Sequence, residues 1–320
     1  MKKYVIGVDV GATHTKVAIL NLRSRIVARN SFLTKLYKKN ALIKAIYRSL
    51  ERLLIKKGFN KRDILGLGVG VPGLVDFKKG LVFYFVNIPG WKNVSLKKIF
   101  EEKTGFPTFV DNDVKMMALG ELSFGAGKNY KNIICLTLGT GVGGAVIMDG
   151  RLYRGSSLVA GEIGHIPINE KGPLCNCGGY GCLEAYVGRE YFLDDVRKSL
   201  RKGAKSIITK LLKGKLSRVT PELLMQTAAK GDLFSKRKWK EMGEHIGNAL
   251  VGVVNLYNPE LIIIGGGMAE AGKFVFDPIK KTLKKKAMKV QKKALKIVKA
   301  KLGNNAGVIG AAELVKKNML

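Results

Sequence analysis

The 320-residue sequence has no uninterrupted apolar run of the roughly 18 residues that a membrane-spanning helix requires. The apolar stretch near its start is short and contains Asp9, so we expect no secretory signal there. Cysteine is scarce, with only four residues, and three of these are spaced like metal ligands. A membrane protein and a disulfide-stabilised secreted protein are therefore not expected, and reduced thiols favour a cytoplasmic location.

Acidic residues are also scarce. The sequence has 24 Asp and Glu against 57 Lys and Arg, which gives a formal net charge of +33. Such a charge would suit a nucleic-acid partner, but the basic residues are spread along the chain. Their densest stretch, residues 280–301, alternates lysines with apolar residues, which predicts a solvated helix face and then a half-buried strand. We therefore expect a lysine-rich surface, as in many heat-adapted proteins, rather than a nucleic-acid partner.

Three cysteines lie close together in the chain, at Cys175, Cys177 and Cys182, and His165 lies ten residues before the first of them. Three thiols and one imidazole form a complete Cys3His ligand set for tetrahedral zinc. The odd number of thiols and the short Cys175–Cys177 spacing argue against a disulfide. Cys135 lies in an apolar run and is expected in the core. The sequence therefore predicts a zinc site with four protein ligands.

A strand, a glycine turn and a returning strand occur near residue 10 and again near residue 140, which indicates an internal repeat of domain size. Predicted strands cover residues 4–10, 16–20, 26–28, 65–71, 108–110, 132–138, 145–148 and 261–264, and predicted helices cover 41–57, 236–256 and the C-terminal residues. We expect a two-domain α/β protein with a cleft between the domains. The smaller domain would comprise residues 1–114 and a C-terminal helix at 306–320, and the larger would comprise 115–305 with the zinc loop.

The glycine turns are candidate phosphate sites, because backbone amides and hydroxyls in such turns can hold phosphate oxygens. A carboxylate at the end of the first strand could hold Mg2+ through water. The alternative is that Asp and Gly serve turn geometry alone. The candidate residues are Asp9, Gly11, Thr13, Thr15 and Lys16 in the first turn, Gly139, Thr140 and Gly141 in the second, and Gly265, Gly266 and Gly267 later in the chain.

Two other glycine motifs are not expected to bind nucleotide. The segment 68–73 matches G-x-G-x-x-G, but Pro72 lies where the helix of a dinucleotide site would begin. The segment 125–128 resembles part of a P-loop but lacks the preceding strand and the following hydroxyl residue. Both are expected to be turns.

Asp113 is the candidate general base, since it follows Asn112 at a strand end beside a predicted helix N-terminus, where a carboxylate stays ionised. The alternative is an N-cap aspartate without a catalytic role. Glu162 and Glu184 flank the cysteine motif, and a loop folded on zinc would hold both carboxylates rigidly for sugar hydroxyls. The alternative is that they are two surface glutamates.

These motifs together resemble the ROK family of repressors and sugar kinases, in order along essentially the whole chain. They are Asp9-x-Gly11-x-Thr13, Pro72-Gly73, Asn112-Asp113, Glu162-x-Gly164-His165, Cys175-x-Cys177-Gly178-x-x-Gly181-Cys182-x-Glu184, Gly265-Gly266-Gly267 and the segment 302–312. The resemblance implies an actin-like, ribonuclease-H-like two-domain fold. It also implies ATP-dependent phosphorylation of a hexose, and we expect a homo-oligomer, either a dimer or a tetramer.

The resemblance also implies a role for each site residue. Asp113 would deprotonate the sugar hydroxyl, and the sugar would be bound by Asn112, Glu162, His165 and Glu184 near the Gly73 backbone. His165 would use one ring nitrogen for structural zinc and the other for the sugar. The first two glycine turns would hold the triphosphate with Mg2+, and residues 265–267 would let adenosine approach the backbone. Loss of zinc through Cys177→Ser is then expected to weaken sugar binding but not ATP binding, because the glycine turns would lie far from the zinc.

Glucose is the expected sugar, with N-acetylmannosamine, N-acetylglucosamine, fructose and allose as alternatives. The rival class is a DNA-binding regulator, but the first turn begins at Asp9, which leaves no room before it for a helix-turn-helix domain. Some positions depart from the family pattern: Ala12 and His14 in the first turn, and Val114-Lys115 after the base. Position 12 keeps a small residue, so phosphate binding should survive there. Val114-Lys115 puts the packing beside the sugar in question, though not Asp113 itself.

Overall fold

The computed structural model describes residues 2–84 and 90–320, which form three sheets and eleven α-helices. The strands are β1 Tyr4–Val10, β2 His14–Asn21, β3 Ile26–Leu33, β4 Ile64–Val71, β5 Leu74–Asp76, β6 Leu81–Tyr84, β7 Lys92–Ser95, β8 Thr108–Asn112, β9 Ile133–Leu138, β10 Val142–Met148, β11 Arg151–Tyr153, β12 Leu261–Gly265 and β13 Lys296–Lys299. The helices are α1 Lys39–Lys56, α2 Leu96–Thr104, α3 Asp113–Phe124, α4 Glu184–Val187, α5 Arg189–Arg201, α6 Ile207–Leu211, α7 Pro221–Ala229, α8 Leu233–Tyr257, α9 Lys273–Lys286, α10 Gln291–Ala294 and α11 Ala306–Met319. The α/β class is confirmed.

Two five-stranded sheets repeat one topology. Their strand orders are β3-β2-β1-β4-β8 and β11-β10-β9-β12-β13. When the five strands of each sheet are numbered along the chain, both sheets have the spatial order 3-2-1-4-5. β1 to β3 form the predicted antiparallel meander, and β4 and β8 are parallel to β1. The third sheet, β5-β6-β7, is small. The internal repeat expected from the glycine turns is therefore confirmed.

The chain divides into two compact units. Unit 1 contains Met1–Lys131, Ala145–Gly161 and Ala300–Leu320, and unit 2 contains residues 132–144 and Glu162–Lys299. This division differs from the expected boundary at residue 114, because α3 packs against α11 and stays in unit 1. In the described part of the chain, no helix has the length and apolar character needed to cross a membrane.

The sheet of unit 1 is covered on both faces. Leu42, Ile46 and other residues of α1 pack on one face, while Val308, Ala312 and Val315 of α11 pack on the other. Strand β4 is buried along its whole length for this reason, as is typical of a strand between two helical layers.

Glycines allow the backbone of α11 to touch its neighbours. A methyl group at Gly7 or Gly68 of the sheet would overlap a carbonyl oxygen of α11, and a methyl group at Gly310 of α11 would overlap the carbonyl of Met116 in α3. The absence of a Cβ at these positions brings helix and sheet closer than ordinary side chains would permit. The N-terminal end of α11 therefore meets the end of β1, where Gly307 contacts the carboxylate of Asp9.

We expect Gly68→Ala to destabilise the protein by about 1–3 kcal/mol, because overpacking of a rigid contact typically costs that much. Gly252→Ala is the matched control. Gly252 lies on α8 with open space around its Cα, so alanine should stabilise the helix by about 0.5–1 kcal/mol. Urea unfolding of both variants measures the difference, and equal stabilities would contradict the close approach of α11 to the sheet.

Candidate active site

In unit 1, the end of β8 places the candidate base. Asn112 caps α3: its Oδ1 accepts hydrogen bonds from the backbone N–H groups of Val114, at 2.9 Å, and Lys115, at 3.2 Å. Its Nδ2 donates to the carbonyl oxygen of Gly73 at 3.1 Å. Asp113 is therefore the first helical residue, and the interpretation of Asp113 as the N-cap is wrong. The structure brings Gly73, Asn112 and Asp113 together, as the sequence predicted.

A buried ion pair fixes the backbone just before this base. Asp111 is fully buried, and its Oδ2 accepts hydrogen bonds from Arg154, 2.9 Å from Nε and 2.8 Å from a terminal guanidinium nitrogen. The guanidinium also lies 4.1 Å from the ring centre of Phe77. Sequence reasoning missed Arg154, although a second acidic residue beside Asn112 and Asp113 is a signal that a buried cation is needed.

Lys115, which departs from the family pattern two residues after Asp113, is also buried. Its side chain is only 2% exposed, and Nζ donates to the carbonyl oxygen of Leu158 at 2.9 Å. Leu158 has a positive φ of 68°, which is strained for leucine. Lys115 and Arg154 therefore both hold residues 154–158 against the start of α3.

Asp9 is the next-to-last residue of β1 and pairs in register with Lys16 of β2. The Nζ atom of Lys16 lies 3.2 Å from Oδ2 of Asp9. Burial raises the pKa of Asp9 above its usual value, and the Lys16 ammonium offsets this only in part. Gly11 donates its N–H to the carbonyl of His14 and closes the β1–β2 turn. Thr13 is exposed, whereas Thr15 is fully buried with its hydroxyl 2.9 Å from that of Thr34. Thr15 thus supports the turn from inside the fold.

In unit 2, the other two glycine turns lie side by side. Residues 139–141, the β9–β10 turn, follow β9, and residues 265–267 begin at the last residue of β12. This strand runs parallel to β9, with Gly265 opposite Thr137. Gly266 has φ of +89°, and a methyl group there would overlap the carbonyl of Leu138. Both turns therefore occur at one edge of the sheet, where backbone amides can approach a ligand closely.

The cysteine cluster, defined as His165, Cys175, Cys177 and Cys182, has the geometry of a metal site. All four ligand atoms lie within 4.8 Å of one another. Cys177 Sγ and Cys182 Sγ are 3.7 Å apart, as are Cys175 Sγ and His165 Nδ1. Tetrahedral zinc with ordinary bond lengths would place two sulfurs about 3.8 Å apart, whereas a disulfide needs about 2.0 Å. The residues present therefore fit zinc.

The local surroundings shift the pKa values of the three thiols in the cluster. Burial raises the pKa of Cys175 to about 12 and also raises that of Cys182, so these thiols favour the neutral form in the protein alone. The backbone N–H of Gly179 lowers the pKa of Cys177. A metal ion at the centre would supply the positive charge that stabilises all three thiolates. Cys135 is fully buried in β9, as predicted.

The two candidate sugar glutamates differ in their surroundings, since Glu162 is exposed and Glu184 is half-buried. Glu162 precedes a short 3-10 helix, Ile163–His165, and its carbonyl accepts the N–H of His165 at 3.0 Å. Glu184 begins α4, and its Oε2 accepts the N–H of Val142 at 2.7 Å while its Oε1 lies 3.9 Å from Cys175 Sγ. The expectation that the glycine turns lie far from the cluster is therefore wrong for the β9–β10 turn, since Glu184 contacts both the cluster and the residue that follows this turn. For the other two turns it stays a prediction.

The predicted residues thus fall into two groups. Unit 1 holds Asp9, Gly11, Thr13, Thr15, Lys16, Gly73, Asn112 and Asp113, and unit 2 holds Gly139, Thr140, Gly141, Glu162, His165, Cys175, Cys177, Cys182, Glu184, Gly265, Gly266 and Gly267. Within unit 1, Asp9 pairs with Gly70 of β4, which in turn pairs with Asp111 of β8, so the carboxyl ends of these strands share one edge.

A model of the ROK family matches residues 5–318. The chain belongs to the ROK family. The glucokinase of Halalkalibacterium halodurans is 36% identical over 317 residues, which cover 98% of this chain and 96% of that protein. The family assignment made from the motifs is confirmed.

Solved structures of ROK proteins have the same fold. A ROK glucokinase from Streptomyces griseus, in complex with glucose and AMPPNP, matches with a TM-score of 0.85 and 30% identity, covering 98% of this chain and 99% of that one. A ROK transcriptional regulator, described as a homologue of the E. coli MLC protein, matches with a TM-score of 0.87 and 26% identity, covering 99% of this chain and 78% of that one. The actin-like fold expected for a ROK protein is confirmed.

We expect Asp9→Asn to raise the melting temperature at pH 7. The pKa of Asp9 is higher in the folded than in the unfolded protein, so its ionised form opposes folding above the folded-state pKa and has no effect below the usual value of 3.8. The increase in melting temperature should therefore disappear as the pH falls from above the folded-state pKa of Asp9 to below 3.8. Lys16→Met should act in the opposite direction, because it removes the cation that lowers the pKa. Thermal unfolding as a function of pH checks both signs, and a variant with the wild-type pH dependence would contradict the raised pKa.

Proposed function

We propose that this ROK protein is an ATP-dependent sugar kinase of the hexokinase type that converts glucose and ATP into glucose 6-phosphate and ADP. The observation that supports this best is the similarity to a glucokinase over nearly the full length of both chains. N-acetylmannosamine, N-acetylglucosamine, fructose and allose are the alternative acceptors.

Asp113 is the general base. Its position as the first residue of α3 favours the ionised carboxylate, because the N-terminal end of a helix carries partial positive charge. The carboxylate takes the proton from the 6-hydroxyl of glucose, the hydroxyl oxygen forms a bond to the γ-phosphorus of ATP, and ADP leaves. The Asn112 cap and the buried Asp111–Arg154 pair keep the base in one orientation.

The sugar is held by Asn112, Glu162, His165 and Glu184, near the Gly73 backbone. His165 directs Nδ1 toward Cys175, so Nε2 is the nitrogen left for a sugar hydroxyl. With Nδ1 on a metal, Nε2 carries the ring hydrogen and donates it.

The nucleotide is held by the glycine turns. Gly11, Thr13 and Lys16 of unit 1 and Gly139, Thr140 and Gly141 of unit 2 contact the triphosphate, and residues 265–267 contact the adenosine. Thr15 orders the first turn through Thr34. Asp9 would hold Mg2+ through water, and the bound ion would supply charge neutralisation on the phosphates. Positioning and charge neutralisation thus account for most of the catalysis.

The cysteine cluster would hold a structural zinc ion, because its four ligands would leave no open coordination position. Its three reduced thiols support a cytoplasmic location. A homo-oligomer stays a prediction, to be measured by light scattering of the purified protein.

A sugar-responsive regulator is the second candidate, supported by the high charge and by the similarity to a ROK regulator. The glucokinase structure is 30% identical to this chain and the regulator structure is 26% identical, which favours the kinase. A panel of hexoses in an ADP-release assay separates the two candidates. We expect turnover with glucose above the other sugars; specific DNA binding at physiological salt with no turnover on any sugar would favour the regulator.

We expect Asp113→Asn to lower kcat by about a hundredfold or more, because loss of a general base typically costs that much. Glucose and nucleotide affinities should change little, since asparagine keeps the size of the side chain. Steady-state kinetics and calorimetric titration separate the two effects. Full turnover in this variant would remove Asp113 from the mechanism.

We expect about one zinc ion per chain in the purified protein, measured by elemental analysis, because four protein ligands close one tetrahedral site. Cys177→Ser should lower the zinc content well below that of the wild type. Cys135→Ser is the control, because Cys135 lies in β9 away from the cluster and should leave the zinc content unchanged. Active wild-type protein without zinc would rule out the structural metal.

A further inference from the structure

We propose that Glu184 is a positioning residue for the β9–β10 turn and couples this turn to the cysteine cluster. All the residues involved lie in unit 2. Under the proposed function, Glu184 serves the sugar and the β9–β10 turn serves the nucleotide, so one carboxylate acts on both substrates. The inference rests on that function for the role of the turn, but the contacts that support it are independent of the sugar.

The first contact is a hydrogen bond to the end of the turn. Glu184 Oε2 accepts the backbone N–H of Val142, the residue directly after Gly141, at 2.7 Å. Val142 is only 3% exposed, and a buried backbone N–H requires an acceptor. A carboxylate is a stronger acceptor for such a group than a neutral oxygen. The carboxylate therefore fixes the point at which the turn enters β10.

The β9–β10 turn and α4 also fit closely against each other. A methyl group at Gly141 would overlap Glu184 Oε2, so only glycine leaves room for the carboxylate at this place. A methyl group at Gly188, after α4, would lie 2.8 Å from the carbonyl oxygen of Glu184 and 3.4 Å from that of Thr140. Glycine on both sides thus permits α4 to lie directly against the turn.

A second hydrogen bond holds the other end of the turn. The N–H of Arg189 donates to the carbonyl oxygen of Gly139 at 3.0 Å, and the N–H of Gly188 donates to the carbonyl of Glu184 at 2.8 Å. The short segment 184–189 therefore holds the turn at Gly139 and at Val142. Thr140 and Gly141, proposed to contact phosphate, lie between these two attachment points.

The same segment begins at the cysteine cluster. Glu184 Oε1 lies 3.9 Å from Cys175 Sγ. Cys182 precedes Glu184 by two residues, and its backbone carbonyl oxygen accepts the N–H of Ala185 at 3.0 Å. A change in the cluster must therefore alter the position of α4 and, through Glu184, the turn. This differs from a glutamate that contacts only sugar, which would leave nucleotide binding in sugar-free protein unchanged.

Calorimetric titration of ADP into sugar-free protein tests the role of Glu184. Glu184→Ala should weaken ADP binding by roughly tenfold, as expected for the loss of a hydrogen bond to a charged group. Glu184→Gln keeps an acceptor oxygen for Val142 and should weaken ADP less than about threefold, although both variants should weaken sugar binding. Glu190→Ala is the matched control, since Glu190 directly follows the segment 184–189 and its side chain is 67% exposed, and it should change neither affinity.

Two outcomes of this titration are distinguishable. Wild-type affinity for ADP in Glu184→Ala would overturn the positioning role while leaving the proposed kinase function intact. Failure of the wild-type protein to bind ADP would overturn the proposed function and, with it, this inference.

Coupling to the cluster is tested with Cys177→Ser in two backgrounds. With Glu184 present, Cys177→Ser should weaken ADP binding. With Glu184→Ala, it should have little further effect, because the connection is already lost. Equal weakening in both backgrounds would mean that the cluster does not act on the turn through Glu184.

Amide hydrogen exchange gives a test that does not need Glu184→Ala to fold. Gly141→Ala introduces a methyl group that displaces the carboxylate from Val142. We expect faster exchange of the Val142 amide together with weaker ADP binding. Unchanged exchange at Val142 in folded Gly141→Ala would overturn the contact.

Discussion

The backbone of α11 rests directly on its neighbours because Gly7, Gly68 and Gly310 have no side chain to hold it away. Burial of β1 and β4 on both faces follows from this contact, as does the placement of the α11 N-terminus against Asp9. The same helix packs on α3, which begins with Asp113. Two carboxylates of the candidate site thus depend on one close contact between helix and sheet.

Charge is distributed differently at the surface and at the site. The protein carries a formal charge of +33, yet the candidate site contains Asp111, which is fully buried, and Asp9, whose side chain is only 14% exposed. Asp111 is neutralised by Arg154, and Asp9 is only partly compensated by Lys16, so its pKa stays raised. An uncompensated desolvation penalty of this kind is typical of a functional site, where an ionised group is retained for its chemistry rather than for stability.

Most of the candidate site could be predicted from the sequence because its parts are local. The three cysteines lie in one loop, Asn112 and Asp113 are adjacent, and each glycine turn directly follows a strand whose apolar pattern is evident. Patterns of this kind can be recognised without knowledge of the tertiary structure, because they involve only residues that are close together in the sequence. Arg154 could not be predicted as the partner of Asp111, since 43 residues separate them and no local spacing relates the two.

The sequence by itself determined the family, the repeated α/β topology, the Cys3His ligand set and the residue types at the strand ends. Only the tertiary structure decided that α3 belongs with unit 1, that Thr15 faces the core and that Glu184 contacts Val142. The physical reason is the range of the interactions. Turn geometry, capping and metal-ligand spacing are encoded over a few residues, whereas the contact of Glu184 with a residue 42 positions away depends on how α4 packs against β10.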